Sequence, residues 1–332
     1  MTMDLLSTCS RILNFCLGLG QEREKEKLLV LFDKSTLELA ESFERAGREL
    51  QGKTHIHELS FGQKHENFPE KAIQVLEDST EEDAIIILSS VNLIYNLQLH
   101  TVISPFTRLK SITARTLYLP PIPIESLNRI MSVNLPEYLE YQELVLNAFK
   151  NITKIELRTD GGTEATFRCR TFGYNPYRAL NPGSQALFHL GEVWTAIIED
   201  STEGTLVYDT CLGMGKIHSK LIFQISRGRI SSHEIVGKAD PVIKTFLKEM
   251  FKADEHALIP AELGIGLNPQ AQISGCIMED EMVKGTCHID FGDNIAFGGA
   301  NKSNFHGGGI MRNPVLMGNG EKKIEKGQLR LK

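Results

Sequence analysis

The sequence predicts two domains of different class: an α/β N-terminal domain with a mainly parallel sheet and helices over residues 1–150, and a β-rich α+β domain over residues 151–332. Two observations carry that reading. In the first half, short continuous apolar runs alternate with segments of helical spacing, as strands buried on both faces by crossover helices do. In the second half, short runs alternate apolar with polar residues and are punctuated by glycine, as antiparallel strands joined by turns are.

The elements follow in order. Met3, Leu5, Leu6, Cys9, Ile12, Leu13 and Cys16 recur at helical spacing, so a helix opens the chain. KLLVLFD (27–33) is a buried strand ending in a turn residue, and an amphipathic helix follows it with Asp33 or Ser35 as N-cap. THIHELS alternates, DAIIILSS (83–90) is a second buried strand, and TARTLYLPP is a third that proline stops. YLEYQELVLNAFKN (138–151) is helical. ITKIELRTD, EATFRCR, GTLVYDT, KLIFQIS and RGRISSHEIVG are short strands, with one amphipathic helix inserted over 240–257.

Composition narrows the function. A chain of 332 residues, 41% hydrophobic and 23% charged, is a soluble globular protein large enough for two cores. A net charge of −6 argues against the clustered basic face of a nucleic-acid binder. The apolar run Ile12 to Leu19 is interrupted and lacks a basic leader, and no uninterrupted span is long enough for a bilayer, so neither secretion nor a membrane partner is expected. Six cysteines without a CxxC pair suit reduced thiols and a cytoplasmic location. A nucleotide site is not expected. DKST follows the first strand where a glycine-rich loop would be needed, and the G-x-G of LGLGQER precedes that strand. His55 and His57 share a strand face, which a solvated sheet edge explains better than a metal does.

The chemistry concentrates after residue 150. Glu192 sits among apolar residues in FHLGEVWTAIIED, and Glu262 does so in IPAELGIGLNP. A carboxylate buried in such a run costs several kcal/mol unless a cation offsets it. His288 and His306 lie in GTCHIDFGDNIAFGGANKSNFHGGG. Glu192, Glu262, His288 and His306 are therefore metal candidates, of donor types that suit a divalent Zn, Co, Mn or Fe ion. No HExxH or CxxC fixes their geometry, and Glu192 as an edge residue or His306 as a loop residue is the plainer alternative.

The ordered series GEV, AELGIGLNP, EDEMVKGTCHIDFGDN, GG and S…H resembles the C-terminal domain of the aminopeptidase T family of metallopeptidases and of its dihydroxypyridine dioxygenase-like relatives. CLGLGQ…KLLVLFD, SLNRIMSVNLPEYLEY and TDGGTEATF extend the resemblance over most of the chain. It implies an aminopeptidase-like hydrolase or metalloprotease whose paired ions are held by two Glu, two His and one Asp. By motif, Glu192 in GEVWTA resembles the first Glu, and Glu262 in AELGIG the second, which bridges the metals. His288 in GTCHIDFGD resembles the first His, and His306 in SNFHGGG the His of an H-x-D element. Two positions depart: Gly308 stands where the Asp is expected, and Ile295 where the peptidases carry a catalytic Tyr. The resemblance also implies self-association, as a homodimer.

Paired divalent ions need several anionic ligands to offset their repulsion, so the loss at Gly308 predicts an altered, single-metal site. By the same logic, Gly308→Asp is expected to raise the metal content toward two. Asp290, two residues after His288 and on the same strand face, is the candidate rescue ligand, although hydrogen bonding to a turn or a His also explains it. His288, Asp290 and His306 together would suit a single non-haem Fe(II). Three readings remain: a metal-dependent hydrolase of a peptide or amide, a mononuclear iron dioxygenase-like enzyme acting on a small molecule, and a silent member that binds a peptide or protein. Loss of the Asp at Gly308 favours the silent member, retention of the four ligand positions favours the two enzymes, and of these the hydrolase is the expectation. Residues 292–309 are too glycine-rich for regular structure and are expected to loop over the site, with free N–H groups at Gly307 to Gly309.

Overall fold

Strands β1 (Leu28–Phe32), β2 (Thr54–Glu58), β3 (Ala84–Leu88), β4 (Arg115–Leu119) and β7 (Gln185–Leu187) form one parallel sheet in the order β2-β1-β3-β4-β7. The computed structural model describes residues 3–20, 27–51, 53–58, 74, 76–88, 112–238 and 240–330. Residues 21–23, 59–60 and 89–90, which end three of the segments read from sequence, lie outside them. Every residue of β1, β3 and β4 is buried, which is why their sequences read as unbroken apolar runs. Helix α1 (Leu5–Leu17) starts at Asp4, whose carboxylate accepts from the Ser7 N–H at 2.9 Å, and ends at Gly18 in the left-handed region. Asp33 supplies the cap leading into α2 (Leu37–Gln51), accepting from the Ser35 N–H at 2.8 Å. His55 is exposed on β2 at the sheet edge.

The first compact unit comprises Met1–Ser132 and Asn175–Leu190, and contains the helix α3 (Ile124–Met131). The second comprises Val133–Tyr174 and Gly191–Lys332. The change of unit thus precedes residue 150, because α4 (Leu135–Phe149) packs on β8 (Glu192–Ala196) of the second unit. Asn175–Leu190 returns to the first because β7 adds to the edge of β4.

Two antiparallel sheets build the second unit. One has the order β13-β12-β9-β6-β5-β17-β18-β19. It comprises β5 (Lys154–Arg158), β6 (Glu164–Arg168), β9 (Glu203–Tyr208), β12 (Lys220–Ser226), β13 (Arg229–Val236), β17 (Val315–Gly318), β18 (Glu321–Glu325) and β19 (Gln328–Leu329). The other has the order β11-β10-β16-β15-β14-β8, formed with β10 (Cys211–Leu212), β11 (Gly215–Lys216), β14 (Pro260–Gly266), β15 (Thr286–Gly292) and β16 (His306–Arg312). Helices α5 (Pro241–Ala253) and α6 (Ile277–Asp280) complete the unit.

Strand β15 positions the site. Its odd-numbered residues Cys287, Ile289 and Phe291 share one face, and Phe291 meets Phe223 of β12 at 5.2 Å between ring centroids. The Tyr208 hydroxyl donates to the Ile289 carbonyl at 2.8 Å, tying the two sheets together. Burying aromatic side chains here contributes about 1.5–3 kcal/mol each. His288 and Asp290 are thereby turned to the opposite face, yet all of β15 is buried. Among the described residues no helix is long and apolar enough to cross a membrane.

Candidate metal centre

Strand register collects the predicted ligands. Glu262 of β14 lies opposite Ala196 on β8 and Asp290 on β15, and Asp290 lies opposite Gly308 on β16. Glu192 pairs with Gly266, His288 with Gly264, and His306 with Gly292. Residues directly opposite, or two apart along a strand, share a face. Glu192, Glu262, His288, Asp290 and His306 therefore all project from one face of the six-stranded sheet. Four are almost fully buried: Glu192 is 3% exposed, Glu262 2%, His288 1% and Asp290 3%. The His306 side chain is 20% exposed and marks the open end of the cluster.

His288 Nε2 lies 3.3 Å from Glu192 Oε2. His306 Nε2 lies 3.4 Å from Glu262 Oε2 and 3.3 Å from Asp290 Oδ2. Within the second unit two groups of these residues result, each with ligand atoms mutually within 4.8 Å: Glu192–Glu262–His288 and Glu262–Asp290–His306. Glu262 belongs to both. Among the described residues no such group joins both histidines.

Two glycines make the packing possible. A Cβ on Gly264 would stand 2.1 Å from the His288 ring, so that position must be bare for the imidazole to lie across the strand. On Gly308 a Cβ would meet the Ile289 carbonyl oxygen at 2.0 Å and Asp290 Oδ1 at 2.5 Å. The space of a residue-308 side chain is already taken by the neighbouring strand and its carboxylate. Gly308→Asp is accordingly expected to lower stability, by on the order of 3 kcal/mol, and not to raise the metal content as the sequence suggested. Urea unfolding midpoints and metal analysis of the variant check this.

Burial raises the Glu262 pKa to about 8, and the charges of Glu192 and Asp290 add to that rise while His306 opposes it. Burial alone would depress His306, but its hydrogen bonds to Asp290 and Glu262 outweigh that and hold its pKa well above 6.5. A raised Glu262 contributes stability that is full below its ordinary 4.5 and is lost as pH rises to about 8. His306 acts in the same direction, its contribution being present below 6.5 and lost as pH rises through its raised value. Metal-free protein is expected to lose stability between pH 4.5 and 8. Ion uptake at pH 7 is expected to release protons, read as a calorimetric heat that depends on the buffer.

Sequence reasoning missed three contributors. Glu281 brings a carboxylate oxygen within 4.8 Å of one on Glu192, and burial together with the surrounding carboxylates raises its pKa well above the usual range. Its place in the acidic run EDE carries no signal that sets it apart as buried. The Asp293 backbone carbonyl accepts from His306 Nδ1 at 2.7 Å, which leaves Nε2 turned to the carboxylates as the nitrogen available to a metal. Phe297 stacks on His306 with ring centroids 5.2 Å apart and meets Trp194 edge-on at 4.9 Å. Ile295, where a catalytic Tyr was sought, is 48% exposed.

The glycine-rich stretch is also shorter than expected. The loop runs over 293–305 with a 3₁₀ turn at Ile295–Phe297, and His306–Arg312 is strand. Gly307, Gly308 and Gly309 lie in the ladder with β15, and Gly309 also pairs with β10, so they form no open nest of N–H groups. Ser303 and Asn304 tie the loop to the Asp254 carboxylate at 2.8 and 2.6 Å.

The donor set fits a divalent ion: several buried carboxylates and two imidazoles converge, and the buried His288 Nδ1 finds no hydrogen-bond partner among the described residues. The family model of NicX, 2,5-dihydroxypyridine 5,6-dioxygenase, matches residues 5–331. The chain belongs to this family. Its fold is similar to that of 2,5-dihydroxypyridine dioxygenase from Pseudomonas putida KT2440, with a TM-score of 0.72 and 18% identity over 99% of this chain and 97% of that one. Wild-type AmpT from Thermus thermophilus is similar too, with a TM-score of 0.66 and 12% identity over 98% of this chain and 99% of that one. No protein of curated function matches the sequence. At such identities the structural likeness is one of fold, and the NicX-family chain shares that fold with a dioxygenase and with AmpT alike.

Proposed function

We propose that the chain is a metal-dependent hydrolase of peptide or amide bonds. Glu192, Glu262 and His288 would hold one divalent ion, and Glu262, Asp290 and His306 a second. The observation that carries this reading is the membership of Glu262 in both groups. A carboxylate has two oxygens and suits a shared ligand. A divalent ion bound there supplies Lewis acidity toward a carbonyl and lowers the pKa of water.

The chain's own residues set the rest. Asp290 supplies across the strand pair the carboxylate that Gly308 lacks. Asp293 keeps His306 in the tautomer that presents Nε2. Glu281, whose pKa burial and like charge raise, lies beside Glu192 and would serve as the acid–base group. Phe297 and Trp194 form an apolar wall at the His306 end.

A second reading, a ring-opening iron dioxygenase, is favoured by the family match. It calls for both histidines on one ion, whereas here they fall in separate groups. The test loads the protein with Zn, Co or Mn and assays leucyl amides, then loads Fe(II) and follows oxygen uptake with 2,5-dihydroxypyridine. Amide cleavage with about two ions per chain supports the hydrolase. Oxygen uptake at one iron per chain, with no amide cleavage, replaces it with the second reading.

A further inference from the structure

We infer that Glu199 is a positioning residue for the metal centre, clamping the 293–305 loop so that the Asp293 carbonyl holds His306 in its ligating orientation. The inference rests on the proposed metal-binding role of His306.

Glu199 Oε1 accepts from the Ala300 N–H at 2.8 Å and from Asn294 Nδ2 at 3.0 Å, and Oε2 accepts from Arg170 at 3.0 Å. Arg170 also donates to the Ile197 carbonyl at 3.1 Å, so the guanidinium holds the segment from which Glu199 reaches. Asn294, fully buried, is the second half of the clamp. Its Oδ1 accepts from the Asn301 N–H at 2.8 Å, its own N–H donates to the Asn301 carbonyl at 3.0 Å, and its carbonyl accepts from the N–H of Gly299 at 2.8 Å.

With those bonds made, the peptide unit joining Asp293 to Asn294 has one orientation, and the oxygen of that unit accepts from His306 Nδ1 at 2.7 Å. The relay thus runs from a carboxylate on another segment, through one side chain and one peptide plane, to a ring nitrogen. Glu199 touches none of the candidate ligands. An ordinary exposed ion pair contributes little to anything. This one has the Glu199 side chain only 24% exposed, and it makes two bonds to the loop besides the one to Arg170. Burial would raise the Glu199 pKa, but the hydrogen bonds from Ala300 and Arg170 outweigh it and bring it to about 2, so the clamp stays ionised at neutral pH.

The test uses the full chain: wild type, Glu199→Gln, Glu199→Asp, and Asp290→Asn to mark which ion belongs to His306. Co²⁺ is titrated by calorimetry, the visible spectrum of the loaded protein is recorded, and melting of the metal-free form is followed by circular dichroism. Glu199→Gln is expected to weaken the His306-side cobalt by about 10–100-fold, to shift its absorption band, and to leave the other ion within about twofold. Glu199→Asp keeps the charge but withdraws the carboxylate by one methylene. It is expected to show the same selective loss, and it decides the matter if the Gln variant does not fold. Unchanged cobalt affinity in variants of a cobalt-binding wild type overturns the clamp alone. Equal weakening of both ions with a lowered melting temperature reduces Glu199 to a structural residue and also overturns it. A wild type that takes up no cobalt overturns the functional reading, and the clamp falls with it.

Discussion

Glu262→Gln is expected to empty both halves of the metal centre and to lower turnover by on the order of 10³-fold or more. The reason is connectivity: Glu262 is the one residue common to the two ligand groups, so a neutral amide there withdraws charge from both at once. The same change is expected to stabilise the metal-free protein at pH 8, because it removes an acid that is 2% exposed beside Glu192 and Asp290. Metal analysis, steady-state rates and urea titration of the two proteins give the three readouts. Retention of both ions by the variant would remove the shared carboxylate as the basis of the site.

Asp290→Asn is expected to cost one ion and leave the other, lowering turnover by roughly 10²-fold. Asp290 and His306 belong to one group only, while Glu192, Glu262 and His288 remain together in the other. Asn keeps the shape beside Gly308 and loses the charge, so an effect on folding should be small. Metal content falling from about two to about one, with the residual ion then lost in an added His288→Ala change, fits the two-group arrangement. Complete loss of metal from Asp290→Asn alone would mean a single centre that needs Asp290, as an iron site of the dioxygenase kind would.

Much of the fold was legible. Unbroken apolar runs at KLLVLFD and DAIIILSS meant strands covered on both faces, and β1 and β3 are buried throughout. Alternation in KLIFQIS and EATFR meant antiparallel strands, and β12 and β6 bury every second residue. The Asp33 cap was readable because the chemistry of a helix start is local. The return of Asn175–Leu190 to the first unit was not readable, since three residues of strand carry no label naming their partner.

The candidate site divides along the same line. Glu192 and Glu262 could be picked out as carboxylates in apolar runs, and His288 and His306 by donor type and motif. Glu281 could not, because Glu192, which it stands beside, is distant in sequence and its own neighbours are acidic. Nor could the effect of Gly308 be judged along the chain. Read linearly, a missing Asp leaves a gap in the ligand set; in the sheet, the gap is where Asp290 sits, directly opposite.

By itself, then, the sequence determined the longer apolar and alternating strands and the amphipathic helices, which face of such a strand a residue takes, and which donor types are available to a metal. These follow from periodicity and from the chemistry of single residues. Only the tertiary structure decided which side chains stand beside Glu262 in each group, that Asp290 fills the place of a residue-308 side chain, and that Asp293 orients His306. The physical reason is register. A period of two tells a strand's faces apart, but which residue lies opposite which is set by pairing between strands far apart in the chain, and the ligand geometry exists only across those pairs.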